Sequence, residues 1–297
     1  MVEVRGFPAA RQKVARRPYW CSRMNSINTN FGAMIALQNL NSINADLMTT
    51  QNRISTGLKV ASAKDDPAAW AIAQSQRSTV SSLDAVKDSL SRTSSSIDVA
   101  MSAGESVSDL LSELRDKALA ASDTSLDTTS RKALNDDFVS IRDQITRTLR
   151  NATFNGVNLV DGSRAFTSAL ADATGSNRMT VAAHNMSLGG SIVTLSAGAG
   201  FTTATSASNL LSSLDASINN VSSALASFGT SSKALDSHQT FIGKLQDTMT
   251  AAIGNLVDAD MAKESATLQA LQIKQQLAIQ ALTIANQSSS YLLRLFQ

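Results

Sequence analysis

Apolar residues in this chain recur in alternating steps of three and four, the spacing of helices that each bury one narrow stripe. The first stripe runs Leu37, Leu40, Asn44, Leu47, Gln51, Ile54, Leu58. Gly57 suits the left-handed conformation that ends a helix, and Asp66-Pro67 supplies an N-cap followed by proline in the first turn, so a second helix starts there. Its stripe runs from Ile72 through Leu83, Leu90, Ile97, Val107 and Leu111 to Leu114 and Ala118. A helix from Pro67 to about Ala121 is roughly 80 Å long and belongs to a rod. A third stretch, from about Thr128 to Leu149, puts Leu134, Phe138, Ile141, Ile145 and Leu149 on one face, with Asp127 or Thr128 as its cap.

The pattern then changes. Asn155-Gly156 predicts a type I′ turn, because both residues accept positive φ. Between Ala165 and Ser208 the charged residues are Asp172 and Arg178 alone, and the runs Met179-Thr180-Val181 and Ile192-Val193-Thr194-Leu195 predict short strands in a small β-rich insert. Helical spacing returns with Leu211, Leu214, Ile218, Val221, Leu225 and Phe228, and resumes after Gly229 with Ile242, Leu245, Met249 and Leu256. Asp258 is the expected cap of a last helix whose stripe is Leu268, Leu271, Gln275, Ala278, Leu282, Ala285, Ser289, Leu292, Phe296. The expected fold is mainly α: a long antiparallel helical rod with terminal coiled-coil helices and a small β-rich central insert.

Composition agrees with few, long elements. The 297 residues include 3 Pro and 14 Gly, little punctuation for so long a chain, and only 4% are aromatic. No apolar run approaches the roughly 18 residues that span a bilayer. Charge is uneven: residues 1–23 carry Arg5, Arg11, Lys13, Arg16, Arg17 and Arg23 against Glu3, and taking that +5 from the formal +2 leaves −3 for the remainder. The body therefore lacks the basic footprint of a nucleic-acid binder. The basic charges also interrupt any signal-peptide apolar run, so residues 1–23, which hold the only cysteine, Cys21, are expected to be an upstream extension ahead of a start at Met24.

Candidate chemistry is sparse. The only histidines are His184 and His238, with no convergent partners in sequence, and no catalytic, cofactor or metal motif is found. Asp65-Asp66 and the pair Asp258 and Asp260 stand at helix starts, where capping explains them better than metal binding. The terminal helices lack the Lys/Arg-rich polar face of membrane-surface helices, so partner helices are expected instead. A helix such as that from Ile35 to Leu58 exposes a whole stripe when alone; its natural partner is the stripe from Leu268 to Phe296, and surface left over is expected to meet identical copies. The expected polymer interface is Leu37, Leu40, Leu47, Ile54, Leu268, Leu271, Leu282, Leu292 and Phe296.

Specific blocks go beyond periodicity. Ile27-Asn28-Thr29-Asn30, Ala36-Leu37-Gln38-Asn39-Leu40 and the run from Arg53 through Ser55-Thr56-Gly57-Leu58 and Ser62-Ala63-Lys64-Asp65-Asp66-Pro67 to Ala69 resemble the amino-terminal signature of the bacterial flagellin family. Asn255-Leu256-Val257-Asp258-Ala259-Asp260, Gln275-Gln276 and Ala285-Asn286-Gln287 resemble its carboxy-terminal signature, and the short insert is most similar to alphaproteobacterial members. The resemblance implies a filament subunit without enzymatic activity or cofactor. The terminal helices, 24–60 and 258–297, would line an inner tube; the rod, 61–160 and 209–257, would surround it; and the insert, 161–208, would face outward and be open to O-glycosylation. Implied partners are further copies and other flagellins, the flagellar export apparatus and a chaperone, and hook-associated and cap proteins, with no nucleic acid or membrane. Alternatives are a hook–filament junction protein, whose ends are similar, or a helical adaptor. The family also implies that Ser112–Leu119 is a filament contact and a site read by the vertebrate flagellin receptor. In flagellins of enteric bacteria the segment reads like QRVRELAV; here Glu113 stands for its first arginine and Lys117 for its leucine, while Arg115 is retained.

Overall fold

A computed structural model of the chain describes residues 29–295, with side chains described through residue 287. Residues 1–23, the expected upstream extension, with Met24, the expected start, Phe296 and the side chain of Leu292 lie outside the described residues. The elements, in order, are α1 (Phe31–Thr56), α2 (Pro67–Ala121), α3 (Thr128–Asn151), β1 (Phe166–Leu170), β2 (Arg178–Ala182), α4 (Ala204–Val257) and α5 (Met261–Leu295). The described residues form two compact units, one of residues 29–59 with 259–295 and one of residues 60–258.

The larger unit is built on α2 and α4, which run antiparallel: Gln246 Nε2 donates to Asp84 Oδ1 at 2.8 Å, Gln239 Nε2 to Ser91 Oγ at 3.1 Å, and Arg115 Nε meets Asp215 Oδ1 at 2.6 Å. The Asp66 side chain accepts from the backbone N–H groups of Ala68 and Ala69, and Pro67 follows, so α2 starts where an N-cap and a missing N–H cost nothing. The buried stripe continues through Leu83, Leu90, Ile97, Val107, Leu111 and Leu114, all 2% exposed or less. It opens at Ala73 and not at Ile72, which is 51% exposed. A methyl at Gly104 would come within 2.7 Å of Leu225 Cδ2; the small residue lets α4 approach. α3, capped by Asp127, lays Phe138, Ile141, Ile145 and Leu149 into the same core.

α4 is one continuous helix of 54 residues that passes through Gly229, where the hydrophobic spacing lapses, and it starts at Ala204, ahead of the first apolar stripe residue. Thr203 and Ser206 form a reciprocal capping box that fixes this start. Asn155 and Gly156 take φ of 48° and 75°, and the backbone of Phe154 and Val157 closes the turn with two hydrogen bonds of 2.9 Å. β1 and β2 pair antiparallel, Phe166 with Ala182 through Leu170 with Arg178.

In the small insert Met179–Val181 lies in β2 as expected, while the second expected strand does not form. Ile192–Leu195 is not a strand: the N–H of Thr194 donates to Ser217 Oγ at 3.0 Å and Asn220 donates to the carbonyl of Ile192 at 3.2 Å, so side chains of α4 take the bonds a partner strand would take. Ala169, Val181, Met186, Val193, Leu195 and Phe201 are buried in the same core as the helices, and Phe201 meets Phe138 edge-on at 5.2 Å.

His184 and His238 have structural surroundings. His238 Nε2 lies 2.8 Å from the carbonyl oxygen of Ala171, tying the hairpin to α4. His184 stands edge-on to Phe228 at 4.8 Å, its Nε2 is buried with no partner, and burial lowers its pKa. The unfolded chain therefore takes the proton first: stability is complete above the ordinary value of about 6.5 and falls as pH drops below it. The melting temperature is expected to fall between about pH 7.5 and about pH 5, and His184→Phe is expected to reduce that fall, as thermal melts at the two pH values will show. An equal fall in the variant would place the acid sensitivity elsewhere.

Candidate functional site, an assembly surface

The smaller unit is the antiparallel pair α1 and α5. Asn30 caps α1 by accepting from the N–H of Ala33, and its own amide donates to the carbonyl of Ala285 at 2.8 Å. Midway, Gln275 Nε2 donates to Asn44 Oδ1 at 2.7 Å, and at the other end Arg53 Nη1 lies 3.2 Å from Glu264 Oε1. Gly57 then takes φ of 71° and ends α1 with its N–H on the Arg53 carbonyl.

Start of α5 depends on Asp260, whose Oδ1 accepts from the N–H groups of Ala262 and Lys263 at 3.0 and 3.1 Å. Asp258, the expected cap, is instead the C-cap of α4, its N–H donating to the Gly254 carbonyl. The reason is reach. A carboxylate satisfies N–H groups two and three residues ahead, and only Asp260 stands directly before Met261. Asp258 folds back over Gly254, where an added methyl would come within 2.7 Å of its Oδ2.

Leu40, Leu47 and Ile54 of α1 and Leu268, Leu271 and Leu282 of α5 are on the half-buried or buried stripes through which the two helices pair. Leu37 departs from the expected stripe: it is 49% exposed, and the inward position in that turn is Ala36, the alternative heptad step from Leu40. Among the described side chains of this unit only Thr50 and Leu271 are buried. Phe31, Met34, Ile35, Leu37 and Met48 of α1 stay 49–64% exposed. In α5, Ile273, Leu277 and Ile284 are 57–67% exposed. With Ala266, Ala270 and Ala281, these last residues form a second stripe along the flank of α5, beside its first. This second seam was open to sequence reading, since its steps are also threes and fours, but its alanines hide it behind the leucines of the first. A shallow groove of about 450 Å³ lies along the pair between Ala36, Asn39 and Ile43 on one side and Lys274, Leu277 and Ala281 on the other.

In the larger unit, Glu113, Arg115 and Lys117 stand on the outer side of α2. Lys117 Nζ lies 2.9 Å from Asp137 Oδ2 on α3, which with Glu113 one turn earlier raises its pKa, and Arg115 pairs with Asp215 on α4. Leu119 is 53% exposed. Among the described residues no helix is long and apolar enough to cross a membrane, and no group of His, Cys, Asp or Glu is placed to hold a metal ion.

Isolated helix pairs with apolar residues on both the inner and the outer side are found where a chain completes its packing with neighbours, so the class of protein is a structural subunit of a helical assembly. The comparisons with known proteins say which one: residues 27–165 match the bacterial flagellin N-terminal helical region and residues 211–296 the bacterial flagellin C-terminal helical region. Flagellins FljM and FljK of Caulobacter vibrioides are each 56% identical over 274 residues, 92% of this chain and 99% of theirs. Flagellin C of Rhizobium meliloti is 38% identical over 143 residues, 48% of this chain and 44% of its own. The chain belongs to the bacterial flagellin family. A structure described as a flagellar hook-associated protein from Vibrio parahaemolyticus shares the fold, with a TM-score of 0.54 at 15% identity over 65% of this chain and all of that one.

Proposed function

We propose that copies of this chain, exported unfolded, polymerise into the extracellular flagellar filament through the outward apolar faces of α1 and α5. The observation that carries this reading is the pairing of two long helices with only Thr50 and Leu271 buried among their described side chains. A pair that buries so little barely offsets the conformational entropy of ordering about sixty residues, so it forms transiently in the free chain and becomes fully ordered when neighbours supply the facing surface. Export fits the chain's chemistry: after Cys21 there is no cysteine, and Pro67 is the one proline of residues 24–297, so few slow steps oppose unfolding and refolding. The export apparatus with a chaperone, and hook-associated and cap proteins at the polymer's ends, complete the set of partners. Electron microscopy of purified protein seeded with filament fragments, together with mass spectrometry of sheared filaments, tests this. Absence from sheared filaments and failure to elongate seeds would overturn it.

Glu113 and Lys117 carry a second part of the proposal, evasion of the receptor that reads this segment in related flagellins. A surface complementary to arginine and leucine there meets a reversed charge and an ammonium already engaged by Asp137. The double change Glu113→Arg, Lys117→Leu is expected to raise the receptor-reporter response at least about tenfold over the unchanged chain, since each mismatch removed contributes on the order of 1 kcal/mol or more. A strong response from the unchanged chain, or no gain in the variant, would show that these side chains are not the determinant.

A further inference from the structure

The stripes through which α1 and α5 pair are apolar or small along most of their length: Ala36, Leu40, Leu47 and Ile54 on one, Leu268, Leu271, Ala278 and Leu282 on the other. Such a seam repeats every seven residues, so sliding one helix by a heptad, about 10 Å, presents nearly the same apolar surface again. Three polar contacts mark the observed register, and they discriminate unequally. The Asn30 amide binds a backbone carbonyl, a group that every residue carries. The Arg53–Glu264 ion pair, with side chains 36% and 13% exposed, joins the last turn of α1 to the first turn of α5 and so marks the register at that end of the seam. Midway along the seam Asn44 and Gln275 join side chain to side chain, both half-buried, at 2.7 Å.

A slip in either direction breaks that pair against leucine. One heptad one way sets Asn44 against Leu268, with Gln275 level with the turn of Ala36 and Leu37; one heptad the other way sets Asn44 against Leu282, with Gln275 level with Gln51. At least one amide then loses its partner inside the seam, which lowers the population of the slipped pair by roughly fivefold or more per stranded amide.

We infer that Asn44 and Gln275 are the register-setting residues of assembly: they hold α1 and α5 in the one alignment that presents the outward stripes in step. The inference rests on the reading of this pair as the polymer's assembly surface. A subunit slipped by about 10 Å would offer its neighbours Ile273 and Leu277 at the wrong height, and each later subunit would inherit the error.

Cysteine pairs read the register. In the full chain carrying Cys21→Ser, Leu47→Cys with Leu271→Cys reports the observed alignment, while Leu40→Cys with Leu271→Cys and Leu47→Cys with Ala278→Cys report the two slips. Each is oxidised in free protein and in seeded filaments, and intrachain products are separated from interchain ones by mass. With Asn44 and Gln275 in place, only the first pair is expected to close within the chain. In Asn44→Leu, Gln275→Leu the slip reporters are expected to close at least about fivefold more, with helicity retained and ordered filaments reduced. The exchange Asn44→Gln, Gln275→Asn is expected to restore the single alignment, which a purely volumetric role would not require. Slip reporters that stay silent in the double-leucine variant, or an exchange variant that slips as freely, would overturn the inference. Because the cross-links are read within one chain, failure of the unaltered chain to polymerise would count against the assembly reading and not against the register.

Discussion

Leu277→Asp is expected to abolish filament formation while leaving the free chain's helicity and melting temperature unchanged. Leu277 is 57% exposed in the single chain, on the open flank of α5 where it edges the groove along the pair, so a carboxylate there is solvated and harmless until a neighbour covers it. In the polymer the same charge is buried once per subunit without a partner, at a cost of about 3–5 kcal/mol. The critical concentration for elongation is then expected to rise by at least about a hundredfold. Leu277→Met keeps the volume and the apolar character and is expected to polymerise normally. Leu282→Asp and Leu47→Asp are also expected to block polymerisation, but they strike the stripe between α1 and α5 and should weaken that pairing as well. Sedimentation of seeded reactions over a concentration series separates these effects. Normal elongation by Leu277→Asp would remove the outer stripe from the assembly surface.

How much of this was legible without coordinates depends on what each signal reports. Capping and turn chemistry act over two or three residues, and Asp66-Pro67, Gly57 and Asn155-Gly156 mark their boundaries in the structure where the sequence places them. Stripes made of leucine and isoleucine, such as Leu268-Leu271-Leu282, identify the inward face because those residues dominate any hydrophobic pattern. Alanine does not, although Ala36 and Ala73 take inward positions where Leu37 and Ile72 were expected, because close helix approach favours a small side chain over a large one. The same weakness hid the second stripe of α5. Non-local hydrogen bonding is the other gap: Ile192–Leu195 has the composition of a strand, but its backbone is satisfied by Ser217 and Asn220, residues whose nearness in space no local pattern reveals. Asp258 and Asp260 differ by two positions, within the usual uncertainty of a helix boundary, and only the hydrogen bonds assign the cap.

The largest loss of stability is expected from Leu111→Asp. Leu111 is fully buried, 0% exposed, among the apolar residues of the core that α2, α3, α4 and the insert share. Stranding an unpaired charge costs about 3–5 kcal/mol against a total stability of about 5–15 kcal/mol for an ordinary domain. For a unit of this size that corresponds to a drop in melting temperature of roughly 6–20 °C. Leu119→Asp is the matched comparison, eight residues along the same helix but 53% exposed, and its effect on the free chain is expected to stay within about 0.5 kcal/mol. The two variants should part further in the polymer. Leu119 lies in the segment Ser112–Leu119, which the family resemblance implies is a further filament contact, so Leu119→Asp is expected to elongate poorly although its monomer melts normally. Circular-dichroism melts and seeded elongation on the same preparations decide the matter: equal melting of both variants would mean that Leu111 is not a core residue, and normal elongation by Leu119→Asp would take this face of α2 out of the contact.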